Sequence, residues 1–163
     1  MKIRKATYND IEFIMEIFDK ARNYMRENKN NIQWVNGYPS VQLIMDEIES
    51  GHCMVCIEDN RIAATFCIIY GNDPTYNYIE DGDWLNEEPY AVIHRLASDG
   101  SIRGVAEKCI KWCFTYYSNI RVDTHEVNNI MQEVLLRNKF QRCGIIYVTD
   151  GTPRIVFQKS TDR

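Results

Sequence analysis

The spacing of apolar and polar positions changes along the chain and predicts a sequence of strands and helices. Short apolar runs bounded by turn residues indicate strands, and apolar positions that recur every three or four residues indicate helices. The change is clearest where the apolar run Tyr90–Ala97 ends at Ser98-Asp99-Gly100-Ser101 and helical spacing starts at Val105. Applied to the whole chain, these patterns predict the order β-α-α-β-β-β-α-β-α-β-β in one domain, residues 1–163.

This order predicts an α/β fold, a mixed sheet with helices on both faces, because strands and helices alternate in the second half of the chain. The dipeptide Asp59-Asn60 joins two predicted strands and suits a tight hairpin, since both residues tolerate a positive φ. Residues 71–89 are long, acidic and aromatic. We favour a solvated surface insertion for them, and the alternative is a substrate-facing flap that attracts cations.

The start of the helix after the central strand carries the first indication of chemistry. Gly104 and Ala106 are small residues at this helix N-terminus, where unpaired backbone N–H groups and a partial positive charge suit a phosphate. Close packing of the helix on the sheet explains the same residues equally well. A second pattern follows later in the chain, where Asn128, Met131 and Phe140 open a helix and lead to a strand.

Together, the stretch Ser101-Ile102-Arg103-Gly104-Val105-Ala106 and the Asn128 pattern resemble the GCN5-related N-acetyltransferase (GNAT) family. That family has an Arg/Gln-x-x-Gly-x-Gly/Ala loop that cradles the pyrophosphate of acetyl-coenzyme A (acetyl-CoA). Ser101 stands where Arg or Gln is usual. The resemblance implies a GNAT-like fold in which strands four and five part and the cofactor lies between them.

The resemblance also implies the reaction, which is transfer of an acetyl group from acetyl-CoA to an amine of a small molecule or peptide by direct attack. Backbone groups would hold the pyrophosphate and the thioester. The Asn128 side chain would bind the pantetheine arm, and the alternative is that it only caps its helix. The cofactor-binding residues implied are Leu96, Ala97, Arg103, Gly104, Val105, Ala106 and Asn128.

The catalytic acid and base follow less directly. Many family members have a Tyr as general acid seven residues after the motif Asn, but Leu135 occupies that position here. His125 is the nearest replacement and Tyr147 a weaker one, unless the thiolate leaves unaided. For the base we choose His94 on the central strand, which could instead be a hydrogen-bonded core residue. Arg95 beside it either pairs with an acid of residues 71–89 or points to solvent.

The acceptor site is expected at the link between the first two helices. In the family these helices wall the acceptor, so Trp34 and Tyr38 in the predicted loop Asn31–Pro39 are candidate substrate-binding residues. The alternative is that both aromatic side chains pack the loop onto the core.

Composition narrows the class of protein. The formal charge of −4 argues against a general nucleic-acid binder and fits a cationic acceptor weakly. No apolar run approaches a membrane span or a secretory signal, so we expect a cytoplasmic protein with its six cysteines reduced. Cys53 and Cys56 form a lone C-x-x-C on a predicted strand, so we expect no metal site. A homodimer through residues 71–89 or the final strands is left open.

Two other functions compete with an active acetyltransferase. Ser101 and Leu135 depart from the family pattern, which would fit an inactive acyl-CoA-binding sensor or interaction module of the same fold. A different nucleotide-binding α/β domain is disfavoured, because no G-x-G-x-x-G follows the first strand and no G-x-x-x-x-G-K-[ST] occurs.

Overall fold

The computed structural model describes residues 1–31 and 33–161. Seven strands and four α-helices lie within these residues, and their order is the predicted one. Their bounds are β1 Lys2–Lys5, α1 Ile11–Glu27, α2 Val41–Glu49, β2 Cys53–Glu58, β3 Arg61–Tyr70, β4 Ala91–Ser98, α3 Val105–Tyr116, β5 Asn119–Thr124, α4 Asn129–Arg137, β6 Gln141–Tyr147 and β7 Pro153–Ser160. None of the helices in this part of the chain has the length and apolarity needed to cross a membrane.

The strands form one mixed sheet in the order β1-β2-β3-β4-β5-β7-β6, which confirms the predicted fold class. β4 and β5 are parallel, whereas β1 and β2, β2 and β3, β5 and β7, and β6 and β7 are antiparallel. Asp59 and Asn60 join β2 to β3 with φ of 51° and 61°. Both residues therefore have the left-handed backbone conformation, and the predicted tight hairpin is confirmed.

The chain divides into two compact units. The first contains Met1–Ile68 and His94–Trp112. Its core is the apolar stripe of α1, Ile14, Ile17 and Phe18, packed with Ile44 and Ile48 of α2 against the sheet. Ser40 caps α2, since its Oγ accepts a hydrogen bond from the Leu43 N–H at 3.1 Å. The prediction of a single domain over residues 1–163 stays a prediction.

The second unit contains residues 69–93 and 113–161. Most residues of 71–89 are exposed, as expected of a solvated insertion, but the expectation is wrong for Tyr76 and Trp84. Tyr76 is only 2% exposed and donates a hydrogen bond from its phenol to Asp123 Oδ2 at 2.6 Å. The guanidinium carbon of Arg121 lies 3.9 Å from the Trp84 ring centroid and 4.0 Å from that of Tyr90. Tyr76 and Trp84 of this segment therefore belong to a core, whereas Tyr78 is 62% exposed.

Two glycines allow the same segment to pack closely on β6. Gly144 has a φ of 157°, and a Cβ added there would overlap the carbonyl oxygen of Glu80. A Cβ at Gly82 would overlap the carbonyl of Cys143. Glu80 and Ile145 exchange both backbone hydrogen bonds at 2.8 Å, so residues around Glu80 cover part of the edge of β6.

The spacing of apolar residues predicts that Val105, Cys109, Trp112 or Cys113, and Tyr116 lie on one face of α3. Val105, Cys109 and Cys113 are buried, but Tyr116 is 61% exposed, so the prediction is wrong for Tyr116. The helix ends at Tyr116, and the last turn of a helix can leave its core-facing side uncovered.

Candidate functional site

The central strand β4 is irregular at the position where chemistry is expected. Arg95 has a φ of 54°, which is uncommon for a residue with a side chain and rare within a strand. Ala91, Val92 and Ile93 are buried, but His94, Arg95 and Leu96 are all half-buried, so the usual alternation of faces is lost. A left-handed residue bends a strand and re-aims the N–H groups that follow it, here those of Leu96 and Ala97.

Within the second unit, the start of β4 pairs in parallel with β5. Ala91 pairs with Ile120 and Val92 with Arg121.

The loop after β4 ends in a glycine that leaves room for a ligand. Gly104 has a φ of 71° and directly precedes α3. A Cβ added to Gly104 would meet no atom within 4 Å, so the space over this backbone is open. Arg103 and Gly104 are exposed, Ala106 is half-buried and Val105 is buried. Because the first N–H groups of a helix lack intrahelical partners, this helix N-terminus fits a pyrophosphate.

Asp99 organises the start of this loop, and the sequence analysis missed it. Its Oδ1 accepts a hydrogen bond from the Ser101 N–H at 2.9 Å, and its Oδ2 accepts one from Arg61 Nη2 at 2.9 Å. Burial alone would raise the pKa of Asp99, but the Ser101 hydrogen bonds and the positive charges of Arg61 and Lys20 lower it. The carboxylate is therefore held ionised within the loop.

The two aromatic residues of the predicted loop Asn31–Pro39 have different surroundings; Ile32 of that loop lies outside the described residues. Trp34 packs edge-on against Phe18, with ring centroids 5.4 Å apart, and is half-buried. Tyr38 is 40% exposed, and its hydroxyl accepts a hydrogen bond from Arg95 Nη1 at 3.1 Å. Trp34 thus fits the packing alternative, whereas Tyr38 lies at the irregular part of β4.

Arg95 has neither of the partners that the sequence suggested. Its Nη2 donates to Glu47 Oε2 of α2 at 2.7 Å, so the expected pairing with residues 71–89, or exposure to solvent, is wrong. The two side chains are 12% and 14% exposed. Burial opposes the charge of Arg95, but its interactions with Cys67, Tyr38 and Glu47 outweigh burial and raise its pKa. His52 Nδ1 lies 3.5 Å from Glu47 Oε1, so Glu47 faces two basic side chains.

The predicted catalytic histidines differ in their surroundings. His94 is half-buried and adjoins Arg95 in β4. His125 follows β5 and is 7% exposed, and its Nδ1 accepts a hydrogen bond from the Val127 N–H at 3.3 Å. Burial and the charge of Arg154 lower the pKa of His125, with Glu126 opposing them. A buried imidazole with a lowered pKa is mostly neutral near pH 7 and is poorly suited to donate a proton.

The second half-motif lies in the other unit. Asn128 is the N-cap of α4, and its Oδ1 accepts a hydrogen bond from the Met131 N–H at 3.1 Å. Leu135, where the family carries a tyrosine acid, is 1% exposed and belongs to the core. Tyr147 donates its phenolic proton to Glu80 Oε2 at 2.7 Å, and that hydrogen bond raises the pKa of Tyr147.

Comparison with solved structures gives close matches over the whole chain. The chain is 32% identical to an acetyltransferase of the GNAT family from Streptococcus agalactiae, with 99% of this chain and 96% of that chain covered and a TM-score of 0.91. A GNAT-family acetyltransferase from Bacillus cereus is 23% identical, with coverages of 99% and 98% and a TM-score of 0.65. A GNAT-like decarboxylase in complex with isobutyryl-CoA is 12% identical, with coverages of 98% and 99% and a TM-score of 0.69. No protein-family model and no curated protein matches the chain.

Proposed function

The chain belongs to the GNAT family of acetyltransferases, and from that membership we propose that it transfers an acetyl group from acetyl-CoA to the amine of a small molecule or peptide. The observation that carries this proposal is the 32% identity to a GNAT acetyltransferase over 99% of the chain. Family membership supports acyl transfer in general. The acetyl group, the amine acceptor and direct attack in a ternary complex are the parts that we propose.

The backbone at the start of α3 would bind the pyrophosphate of the donor. The open space over Gly104 supports this role, together with the N–H groups of Arg103, Val105 and Ala106. Leu96 and Ala97 would present N–H groups to the acyl carbonyl oxygen, where negative charge develops during attack. The bend at Arg95 supports that role, because it directly precedes both residues. Asn128 would hold the pantetheine arm in addition to capping α4.

His94 would accept the proton of the attacking ammonium, directly or through a water molecule. Its place on β4, two residues before Leu96, supports this role. Tyr38 would contact the acceptor, because it is exposed and its hydroxyl binds Arg95 next to the same part of the strand. Positioning of the amine against the thioester supplies much of the rate in such a reaction, so no covalent enzyme intermediate is needed.

We assign no side-chain proton donor to the departing thiol. The burial of Leu135, the lowered pKa of His125 and the hydrogen bond from Tyr147 to Glu80 support this assignment. A thiol has a much lower pKa than an alcohol, so its anion can leave without general-acid help.

The burial of Leu135 also favours a second candidate, an acyl-CoA-binding module that does not turn over. Incubation with acetyl-CoA and a panel of amines separates the two candidates, with the products followed by mass spectrometry. The panel would include polyamines, aminoglycosides, amino acids and peptide N-termini. A product heavier by one acetyl group supports the enzyme, and tight acetyl-CoA binding without any product across the panel supports the module.

A further inference from the structure

A buried carboxylate stands at the entrance of the loop that would bind pyrophosphate. The Asp99 side chain is 7% exposed, and its backbone N–H donates to the Ala63 carbonyl of β3 at 3.0 Å. One carboxylate oxygen holds the Ser101 N–H, and the other holds the Arg61 guanidinium, each at 2.9 Å. Asp99 therefore ties the beginning of the loop to the β2–β3 hairpin.

The position of this charge needs an explanation. A carboxylate near a bound pyrophosphate repels it. Ser101 offers no positive charge at this point in the loop. Arg61 supplies one from the first residue of β3, directly after the left-handed pair Asp59 and Asn60. Lys20 of α1 adds a second positive charge near Asp99.

We propose that Asp99 and Arg61 form a positioning pair for the pyrophosphate loop, in which Asp99 orders the loop through Ser101 and Arg61 cancels the charge of Asp99 toward the donor. This inference rests on the proposed function, because it assumes that acyl-CoA binds at the loop. Neither residue touches the reacting atoms. The pair acts on the pyrophosphate-bearing half of the donor and leaves the pantetheine half unaffected.

If Arg61 cancels the charge of Asp99, a second substitution should restore part of the CoA affinity that the first one removes. Arg61→Gln exposes the Asp99 charge, so the dissociation constant of CoA should rise roughly fivefold, as expected for one uncompensated charge within a Debye length. Asp99→Asn added to Arg61→Gln removes that charge, while the amide oxygen can still accept the Ser101 N–H. The double variant should therefore bind CoA more tightly than Arg61→Gln alone.

The ordering part predicts a loss without charge repulsion. Asp99→Ala removes the acceptor for the Ser101 N–H, so the loop is no longer held and CoA affinity should fall roughly tenfold, the effect of losing a charged hydrogen bond. Pantetheine, which has no pyrophosphate, should bind equally well to wild type and to every variant.

Calorimetry with CoA and ligand-observed NMR with pantetheine would test both parts, after circular dichroism has established that each variant is folded. Arg22→Gln is the matched control, because it breaks another Arg–Asp pair of the same unit, Arg22 with Asp19, and should leave CoA affinity unchanged. If Asp99→Ala does not fold, Arg61→Gln and the double variant decide the question.

The outcomes separate this inference from the proposed function. If wild type does not bind CoA, the proposed function fails. If wild type binds CoA but Arg61→Gln binds it equally well, the positioning pair is refuted and the proposed function stands. The pair is also refuted if pantetheine affinity falls in parallel with CoA affinity, or if the double variant binds CoA no better than Arg61→Gln.

Discussion

The buried pair Glu47–Arg95 offers a quantitative test of how the structure holds its irregular central strand. Glu47→Ala would leave the Arg95 guanidinium, 12% exposed, without its carboxylate partner, and only its hydrogen bond to the Tyr38 hydroxyl would remain in this cluster. Removing one member of a buried ion pair costs 3–5 kcal/mol. Because a small part of both side chains reaches solvent, we expect the free energy of unfolding to fall by about 3 kcal/mol, the lower end of that range.

Thermal and urea unfolding, followed by circular dichroism, would measure this loss. For a domain of this size about 3 kcal/mol corresponds to a decrease in Tm of roughly 6–12 °C. Glu47→Gln keeps a hydrogen-bond acceptor and should cost roughly half as much. Glu107→Ala is the control, because the Glu107–Lys111 pair is 52% and 72% exposed and should contribute less than about 1 kcal/mol.

A double-mutant cycle with Arg95→Met tests whether the loss belongs to the pair. The double variant removes both charges, so it should be less destabilised than the sum of the single variants by about 2 kcal/mol. Additive effects, or a Glu47→Ala cost no larger than that of Glu107→Ala, would refute the reasoning.

Three further predictions concern other parts of the chain. His94→Gln removes the proposed proton acceptor, so it should lower kcat and leave the KM for acetyl-CoA unchanged. A normal kcat in steady-state assays would mean that His94 only packs in the core. Tyr76→Phe should lower the free energy of unfolding by about 1–3 kcal/mol in urea, because Asp123 loses a buried donor; an unchanged midpoint would contradict this. The hydrogen bond from Arg4 is the largest cause that lowers the pKa of Asp10, and burial opposes it. The Asp10 contribution to stability should therefore be complete above its unfolded pKa of about 3.9 and be lost as pH falls toward the folded pKa. Asp10→Asn should flatten that acid limb in pH-dependent unfolding, and an identical limb in both proteins would argue against it.

The order of elements was predictable because periodicity reports burial directly. The sequence predicts strands at Arg61–Tyr70 and Asn119–Thr124, which are the bounds of β3 and β5. The Asp59-Asn60 turn and the Ser40 cap depend on side chains that act within a few residues. Short-range chemistry of this kind can be read from a sequence.

The parts that were missed depend on contacts between residues far apart in the chain. Glu47 of α2 reaches Arg95 of β4, and Arg61 of β3 reaches Asp99 at the end of the neighbouring strand. The acidic composition of residues 71–89 suggested solvation, yet Tyr76 is buried there. The charge of neighbouring residues does not show where an aromatic side chain packs. The local sequence around Arg95 likewise cannot identify Glu47, 48 residues away, as its partner.

Two features of the sequence could have indicated the partner of Arg95 and the role of Asp99. An arginine in an apolar central strand requires a partner, and Glu47 of the second predicted helix was one candidate. Asp99 directly follows a predicted strand and precedes Ser101 by two residues. An Asp side chain at such a position typically accepts a backbone N–H.

Calorimetric titration of acetyl-CoA into wild type and Gly104→Glu tests the central claim most directly, with ATP and NAD as control ligands. Glutamate at this position is strained at a φ of 71° and places bulk and charge in the open space proposed for the pyrophosphate. We predict selective binding of acetyl-CoA to wild type and no measurable binding to a Gly104→Glu variant that remains folded. Equal acetyl-CoA affinity in the two proteins, or tighter binding of ATP or NAD to wild type, would contradict the proposed site.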